Sequence, residues 1–340
     1  MQLQGCITAL VTPFTEDDEV DYESLEALVE KQIAEGVDGL LPVGTTGESP
    51  TLSHEEHEAV IEFVVKTVNH RVPVIAGAGS NSTIEAVRLT KHAKAVGADA
   101  VLSVNPYYNK PTQEGLMQHF AEVAKVGIPI VLYNIPGRTN ISMTPETVEA
   151  LHARFPEQIV AIKEASGSLD QASEIAARCP AVTILSGDDS ITLPLMSIGA
   201  QGVISVLANM YPKLVKDVTE SALTGDWETA RISHVRNFLL YKSLFCEPNP
   251  CPVKLGMAKL GMIKTARVRL PLVESDPVTV WQGKVKPALD KVAAETTLHA
   301  HEPEAGESTD VKLLKESSSS SSTAVGSSSS AASSSADEKA

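Results

Sequence analysis

A closed (β/α)8 barrel, the TIM-barrel architecture of the α/β class, is the fold this sequence predicts, on three observations. Eight short β-rich runs alternate with helical patterns at nearly even spacing. No Gly-x-Gly-x-x-Gly follows the first run, which argues against the competing doubly wound open sheet. Side chains able to do chemistry collect where the runs end, and a parallel barrel places its active site at that end of its strands.

The predicted strands cover residues 6–11, 39–43, 72–76, 100–104, 128–133, 159–163, 182–186 and 202–206. Between them, apolar residues recur at helical spacing: Leu25, Leu28, Val29 and Ile33; Val60, Ile61, Val64 and Val68; Leu116, Phe120, Val123 and Ala124. Ser53, Ser82 and Thr144 stand where N-caps are expected, and Pro145 follows Thr144 at the first helical position. The barrel therefore occupies residues 1–225. Over 226–300 the strands stop, and Asp226 caps a helix predicted through about residue 245. Two more helical stretches cover roughly 252–260 and 277–298. The prolines at 248, 250 and 252 make an irregular turn between them. Over 301–340, serine runs at 317–322, 327–330 and 333–335 have almost nothing to bury, so a disordered low-complexity tail is expected there.

With 340 residues and 43% hydrophobic content, the chain can build a large barrel core. No apolar run is long enough to span a bilayer, and Met1-Gln2-Leu3-Gln4 lacks the features of a signal peptide. Cys6, Cys179, Cys246 and Cys251 are few and scattered, which suggests reduced thiols in a cytoplasmic protein. A formal charge of −15 argues against a nucleic-acid surface. It leaves small anionic substrates open, since one local arginine can hold a carboxylate.

Lys163 is the most informative residue. It ends Ile159-Val160-Ala161-Ile162, a run apolar on both sides of the pleat and so buried on both faces. Burial disfavours the ammonium, and the neutral amine is the form that attacks a carbonyl to make a Schiff base. At the reference pKa only about 4 in 10,000 lysines are neutral at pH 7, and each unit of depression multiplies that roughly tenfold. The alternative is a structural lysine paired with Glu164 or another carboxylate. Other strand ends carry Gly44-Thr45-Thr46-Gly47-Glu48, Asn105-Pro106-Tyr107-Tyr108, Tyr133-Asn134-Ile135-Pro136-Gly137-Arg138 and Ser186-Gly187-Asp188. Lysine, tyrosine, threonine and arginine gathered at four strand ends are hard to explain as packing. His54 and His57 form a close pair at a helix start, but not the His-Glu-x-x-His metal pattern, so surface helix residues are the default reading for them. No Gly-x-Ser-x-Gly elbow supports a serine triad.

In order and spacing these motifs, with Leu132–Thr139, Ile162-Lys163-Glu164 and Ser186-Gly187-Asp188-Asp189, resemble the dihydrodipicolinate synthase family of pyruvate-dependent class I aldolases over about residues 1–295. The resemblance implies condensation of pyruvate with L-aspartate 4-semialdehyde on the diaminopimelate route to lysine, with no metal or organic cofactor. Lys163 would form the Schiff base, and Tyr133, Thr45 and Tyr108 the proton relay, Tyr108 reaching across a tight dimer interface. Thr46 would bind the pyruvate carboxylate and Arg138 the semialdehyde carboxylate, while Ile204 and Gly187 complete the substrate site. Ser49, His54, His57, Asn81, Glu85 and Tyr107 match positions that bind feedback L-lysine, which supersedes any metal reading of the histidines. A homotetramer built as a dimer of dimers is implied, with neither nucleic acid nor membrane as partner. N-acetylneuraminate lyase and keto-deoxy sugar acid aldolases share the barrel and the lysine. Arg138, Thr45 and Tyr108 favour the synthase. A catalytically silent scaffold is the other alternative, and the intact set of reactive residues speaks against it.

Overall fold

Strands that are covered on both faces need apolar side chains on both sides of the pleat, and the eight predicted runs have them. In the computed structural model, which describes residues 3–299, they form β1 (Gly5–Ala9), β2 (Gly39–Leu41), β3 (Ile75–Gly77), β4 (Ala100–Val104), β5 (Ile130–Asn134), β6 (Ile159–Glu164), β7 (Thr183–Ser186) and β8 (Gly202–Ser205). All pairings are parallel, in the order β2-β1-β8-β7-β6-β5-β4-β3. The bridge Leu40–Val74 closes the seam between β2 and β3. Pro42 and Pro73 flank that seam and have no N–H to donate, so only their carbonyls join it. Leu40 N–H donates to Pro73 at 2.9 Å and Gly77 N–H to Pro42 at 3.0 Å. The same prolines shorten β2 and β3 relative to the predicted runs.

The pleat sorts side chains into two layers. Ile7, Leu41, Leu102, Val131, Tyr133, Ala161, Leu185 and Ile204 fill the barrel interior. Leu132, Ile162, Ile184 and Val203 face outward into the layer shared with the helices. Ala161 being interior, Lys163 is too, and Glu164 is not.

Caps hold the helices as their sequences direct, with one exception. Ser53 closes a full capping box on His54–Val68: its hydroxyl accepts from Glu56 N–H at 3.1 Å, and Glu56 accepts from Ser53 N–H at 2.8 Å. Thr144 caps Pro145–Arg154, and Asp226 caps Trp227–Ser243. Ser82 precedes Thr83–Ala95 but makes no side-chain cap; its N–H donates instead to the Ser80 hydroxyl at 3.0 Å.

The helix expected over 277–298 is two elements: wide π-type turns over Pro277–Val285, then an α-helix over Lys286–His299. Pro287 supplies the reason, because it lacks an N–H and its ring clashes with the carbonyl four residues back. Lys286 N–H accordingly reaches Trp281, five residues away. The C-terminal region packs back onto the barrel. Trp227–Ser243 packs on Pro212–Leu223. Cys251–Lys259 and the chain after it return to the strand-end face of the barrel, where Thr265 bonds to the Phe14 carbonyl and Arg269 to Glu56. All four cysteines carry free thiols. Among the described residues no helix is long and apolar enough to cross a membrane. The serine-rich tail and the disorder expected for it lie outside the described residues.

Candidate active site

β5 and β6 pair so that Tyr133 stands opposite Lys163 and Asn134 opposite Glu164. The first pair points into the barrel, with the Lys163 ammonium 4.4 Å from the centre of the Tyr133 ring. Lys163 is 5% exposed. Glu164, the partner a structural lysine would choose, turns to the opposite face. Its carboxylate accepts from Asn134 Nδ2 at 3.1 Å, Gln171 Nε2 at 3.1 Å and Ser166 N–H at 2.7 Å. The amine is thus buried in the barrel mouth without that counter-ion. Gly187, just past β7, leaves it room, since a Cβ there would lie 2.6 Å from Ala165 Cβ and 3.2 Å from Lys163 Cε.

The turn after β2 brings Thr45 and Thr46 to the same mouth. Val43 enters it at φ 55°, a strained value for a β-branched residue. Gly77 makes that possible, because a Cβ there would fall 2.0 Å from the Val43 carbonyl oxygen. Thr45 is half-buried and Thr46 buried. Glu48, also left-handed at φ 56°, turns its carboxylate inward onto Lys254 at 2.7 Å. Both partners are 0% exposed. Lys254 also donates to the Thr12 carbonyl at 2.9 Å, and Arg269 N–H bonds the other Glu48 oxygen at 3.0 Å. Burial pulls the Lys254 ammonium below the ordinary lysine range, and Glu48 opposes the pull. This ion pair was missed from the sequence. Its signal is the one that singled out Lys163, a lone charge inside an apolar run.

Asn249, from the proline-dense turn, also reaches the mouth. Its Nδ2 donates to the Thr46 hydroxyl at 3.0 Å, and its backbone carbonyl accepts from Arg138 Nη2 at 3.4 Å. Arg138 itself is exposed on the short helix Pro136–Thr139. Ile204 is buried in β8, and the chain after it is pinned by Asp189, which accepts from Val206 N–H at 3.0 Å and Leu207 N–H at 3.1 Å. Burial pushes the Asp189 carboxyl up to about 6, against the Ser205 hydroxyl and those two amides.

A second cluster adjoins the first. His54 Nε2 lies 3.0 Å from Glu85 Oε1, the Ser80 hydroxyl donates to the other Glu85 oxygen, and Asn109 Nδ2 donates to the Asn81 carbonyl at 2.9 Å. Burial, with Glu85 nearby, raises the Tyr107 phenol above its ordinary range. The surface reading of both histidines is corrected for His57. It is 4% exposed, both its ring nitrogens lack a partner, and burial pushes it down to about 4. It lies on the inner face of its helix, between Ser53 and the buried Val60–Ile61. Ser80 was also missed, although it adjoins Asn81. One cavity of about 480 Å³ joins the two clusters, lined by Thr45, Tyr133 and Arg138 and by Ser49, His54, His57, Glu85 and Tyr107. Among the described residues no three His, Cys, Asp or Glu side chains group to hold a metal ion. Tyr108 stands apart, at φ 72° and 92% exposed.

Known proteins share this fold. A family model described as the dihydrodipicolinate synthetase family matches residues 2–283. The 4-hydroxy-tetrahydrodipicolinate synthase of Hydrogenobaculum sp. is 52% identical over 290 residues, 85% of this chain and 98% of that protein. A chloride-inhibited dihydrodipicolinate synthase from Acinetobacter baumannii, complexed with pyruvate, superposes with a TM-score of 0.82 at 43% identity, over 86% of this chain and 99% of that one. A counterpart from Cyanidioschyzon merolae with lysine bound gives 0.81 at 41% identity, over 85% and 98%. With its barrel, its buried lysine and a match running almost the whole described length, the chain belongs to the dihydrodipicolinate synthetase family, lyases of the class I aldolase type.

Proposed function

We propose that the chain is a 4-hydroxy-tetrahydrodipicolinate synthase, acting in the cytoplasm, which condenses pyruvate with L-aspartate 4-semialdehyde through a Schiff base on Lys163 and is inhibited by L-lysine. The observation that carries this reading is the buried Lys163 amine, turned away from Glu164 and paired in register with Tyr133. Its nitrogen adds to the pyruvate keto carbon, the carbinolamine loses water, and the iminium accepts the electrons freed when a methyl proton leaves. The resulting enamine attacks the aldehyde carbon. Because the iminium is the electron sink, the chemistry needs neither metal nor organic cofactor.

Protons move through Tyr133 and Thr45, which line one cavity, and through Tyr108 supplied by a second copy. A tyrosine held at positive φ and almost fully exposed in one chain suits that role, and the assembly is a homotetramer built from such dimers. Thr46 and Arg138 hold the carboxylates of pyruvate and of the semialdehyde, while the Ile204 carbonyl and Gly187 frame the imine. Ser49, His54, His57, Asn81, Glu85 and Tyr107 receive L-lysine, whose ammonium groups suit the Glu85 carboxylate and the neutral His57 ring. The named relatives support the reading: one is a synthase of this name, one holds pyruvate and one holds lysine.

The test is a condensation assay offering aspartate semialdehyde and N-acetylmannosamine in parallel, with and without lysine. Turnover with the sugar instead of the semialdehyde would overturn the assignment. Arg138→Ala is expected to lower kcat/KM for the semialdehyde roughly a hundredfold, as loss of a charged hydrogen-bonded carboxylate contact does. Borohydride trapping of pyruvate should stay near wild type, and equal loss in both half-reactions would count against the Arg138 role. Millimolar L-lysine is expected to slow initial rates, and Glu85→Ala to relieve that inhibition. Rates indifferent to lysine in the unmodified protein would remove the regulatory part.

A further inference from the structure

Within the reaction proposed above, the structure assigns a positioning role to Asn249. Its side-chain amide holds the Thr46 hydroxyl so that the hydroxyl proton is offered to the pyruvate carboxylate, while its backbone carbonyl holds the Arg138 guanidinium at the second carboxylate position. The proposal rests on the reading of Thr46 and Arg138 as the two carboxylate anchors.

Hydroxyl chemistry carries the first half. A hydroxyl has one proton to give and two lone pairs. At Thr46 one lone pair takes the Asn249 Nδ2–H at 3.0 Å, so the hydroxyl is the acceptor in that bond and its proton is unspent. Other threonines behave differently. Thr139, Thr219 and Thr224 donate back to carbonyls in their own helices, the ordinary way to satisfy such a group. Thr46 is as buried as Thr139 and Thr219, yet keeps its donor for something that is not protein.

The amide's other end makes the same point. Asn249 Oδ1 is buried and has no partner among the described residues. Buried acceptors are almost always satisfied, so an asparagine placed only for packing is a poor choice where an apolar side chain would leave nothing unpaired. What the amide contributes is its nitrogen, aimed at Thr46.

Rigidity comes from a second brace. Lys254, on the helix that begins just after Asn249, forms the buried ion pair with Glu48, two residues past Thr46. Glu247 on the other flank accepts from the Ser275 hydroxyl at 2.5 Å. The turn is therefore braced on both sides of Asn249, against the β2 loop through Lys254 and against the later C-terminal chain through Glu247. One residue then sets the spacing between the two anchors, and that spacing must match two substrates at the moment their carbons join.

Side chain and carbonyl can be separated. Asn249→Ala removes the amide and keeps the carbonyl, so KM for pyruvate should rise about tenfold, the effect of one hydrogen bond, while KM for the semialdehyde stays within about twofold. Asn249→Asp keeps the shape but, ionised, can only accept. It would take the Thr46 proton and set a negative charge beside the carboxylate, so its pyruvate KM should exceed that of the alanine variant. In a Thr46→Val background, Asn249→Ala should add less than about twofold. Equal KM changes for both substrates, or full additivity with Thr46→Val, would overturn the role and leave a purely structural asparagine. If Asn249→Ala does not fold, the near-isosteric Asn249→Asp decides by the same two KM values. Unmodified protein is trapped with pyruvate in parallel. An adduct on Lys163 with pyruvate KM unmoved in the variants sinks the Asn249 role alone; no adduct at all sinks the underlying reading with it.

Discussion

Lys163→Arg is expected to lower kcat by roughly 10⁴-fold or more, the scale on which loss of a covalent nucleophile acts. Arginine keeps the positive charge and most of the length, but its guanidinium does not deprotonate in a protein and so makes no imine. The substitution thus separates charge from nucleophilicity. Because Glu164 is bound to Asn134, Gln171 and Ser166 and not to Lys163, no ion pair is lost. The thermal midpoint should move little. Mass spectrometry after pyruvate and borohydride should find the adduct on wild-type protein and none on the variant. Normal turnover by the arginine protein would end the Schiff-base account.

Lys254→Met should produce the largest change in stability. Lys254 and Glu48 are both fully buried, and removing one member of such a pair leaves the other charge buried without its partner. A loss of about 3–5 kcal/mol is expected. At roughly 2–4 °C per kcal/mol for a chain near this size, that lowers the melting temperature by about 6–20 °C. Adding Glu48→Leu should recover most of the loss, since an apolar pair of similar volume needs no desolvated charge. A double-mutant cycle in urea gives both numbers. A single variant that melts with wild type, or a double variant worse than the sum of the two, would contradict the buried-pair reading. Pyruvate KM should rise in the single variant as well, because Glu48 closes the turn that carries Thr45 and Thr46.

Much of this architecture could be read along the chain because its signals are local. Alternation of β-rich runs with helical spacing is a property of neighbours, and all eight strands lie where it put them. Their ends shifted most at Pro42 and Pro73, whose effect depends on which strand each one faces across the seam. Ser53 and Ser82 each have a glutamate three residues on, yet only Ser53 completes the box, because Glu85 is taken up by the Ser80 hydroxyl and His54. Lys163 stood out because a charge at the end of an apolar strand is an anomaly visible in five residues. The lysine-site residues came from resemblance, although helical spacing back from Val60, Ile61 and Val64 already puts His57 on the buried face of its helix.

Local patterning, then, was enough to specify the barrel, its buried amine and the strand ends around it, because propensity and hydrophobic period act over a few residues. Folding alone settled which distant groups meet: Tyr133 with Lys163 through strand register, Glu48 with Lys254, and Asn249 with both Thr46 and Arg138. Such contacts arise when the chain after the last strand turns back over the barrel mouth. Their geometry depends on how two remote segments pack, and no window of sequence holds both.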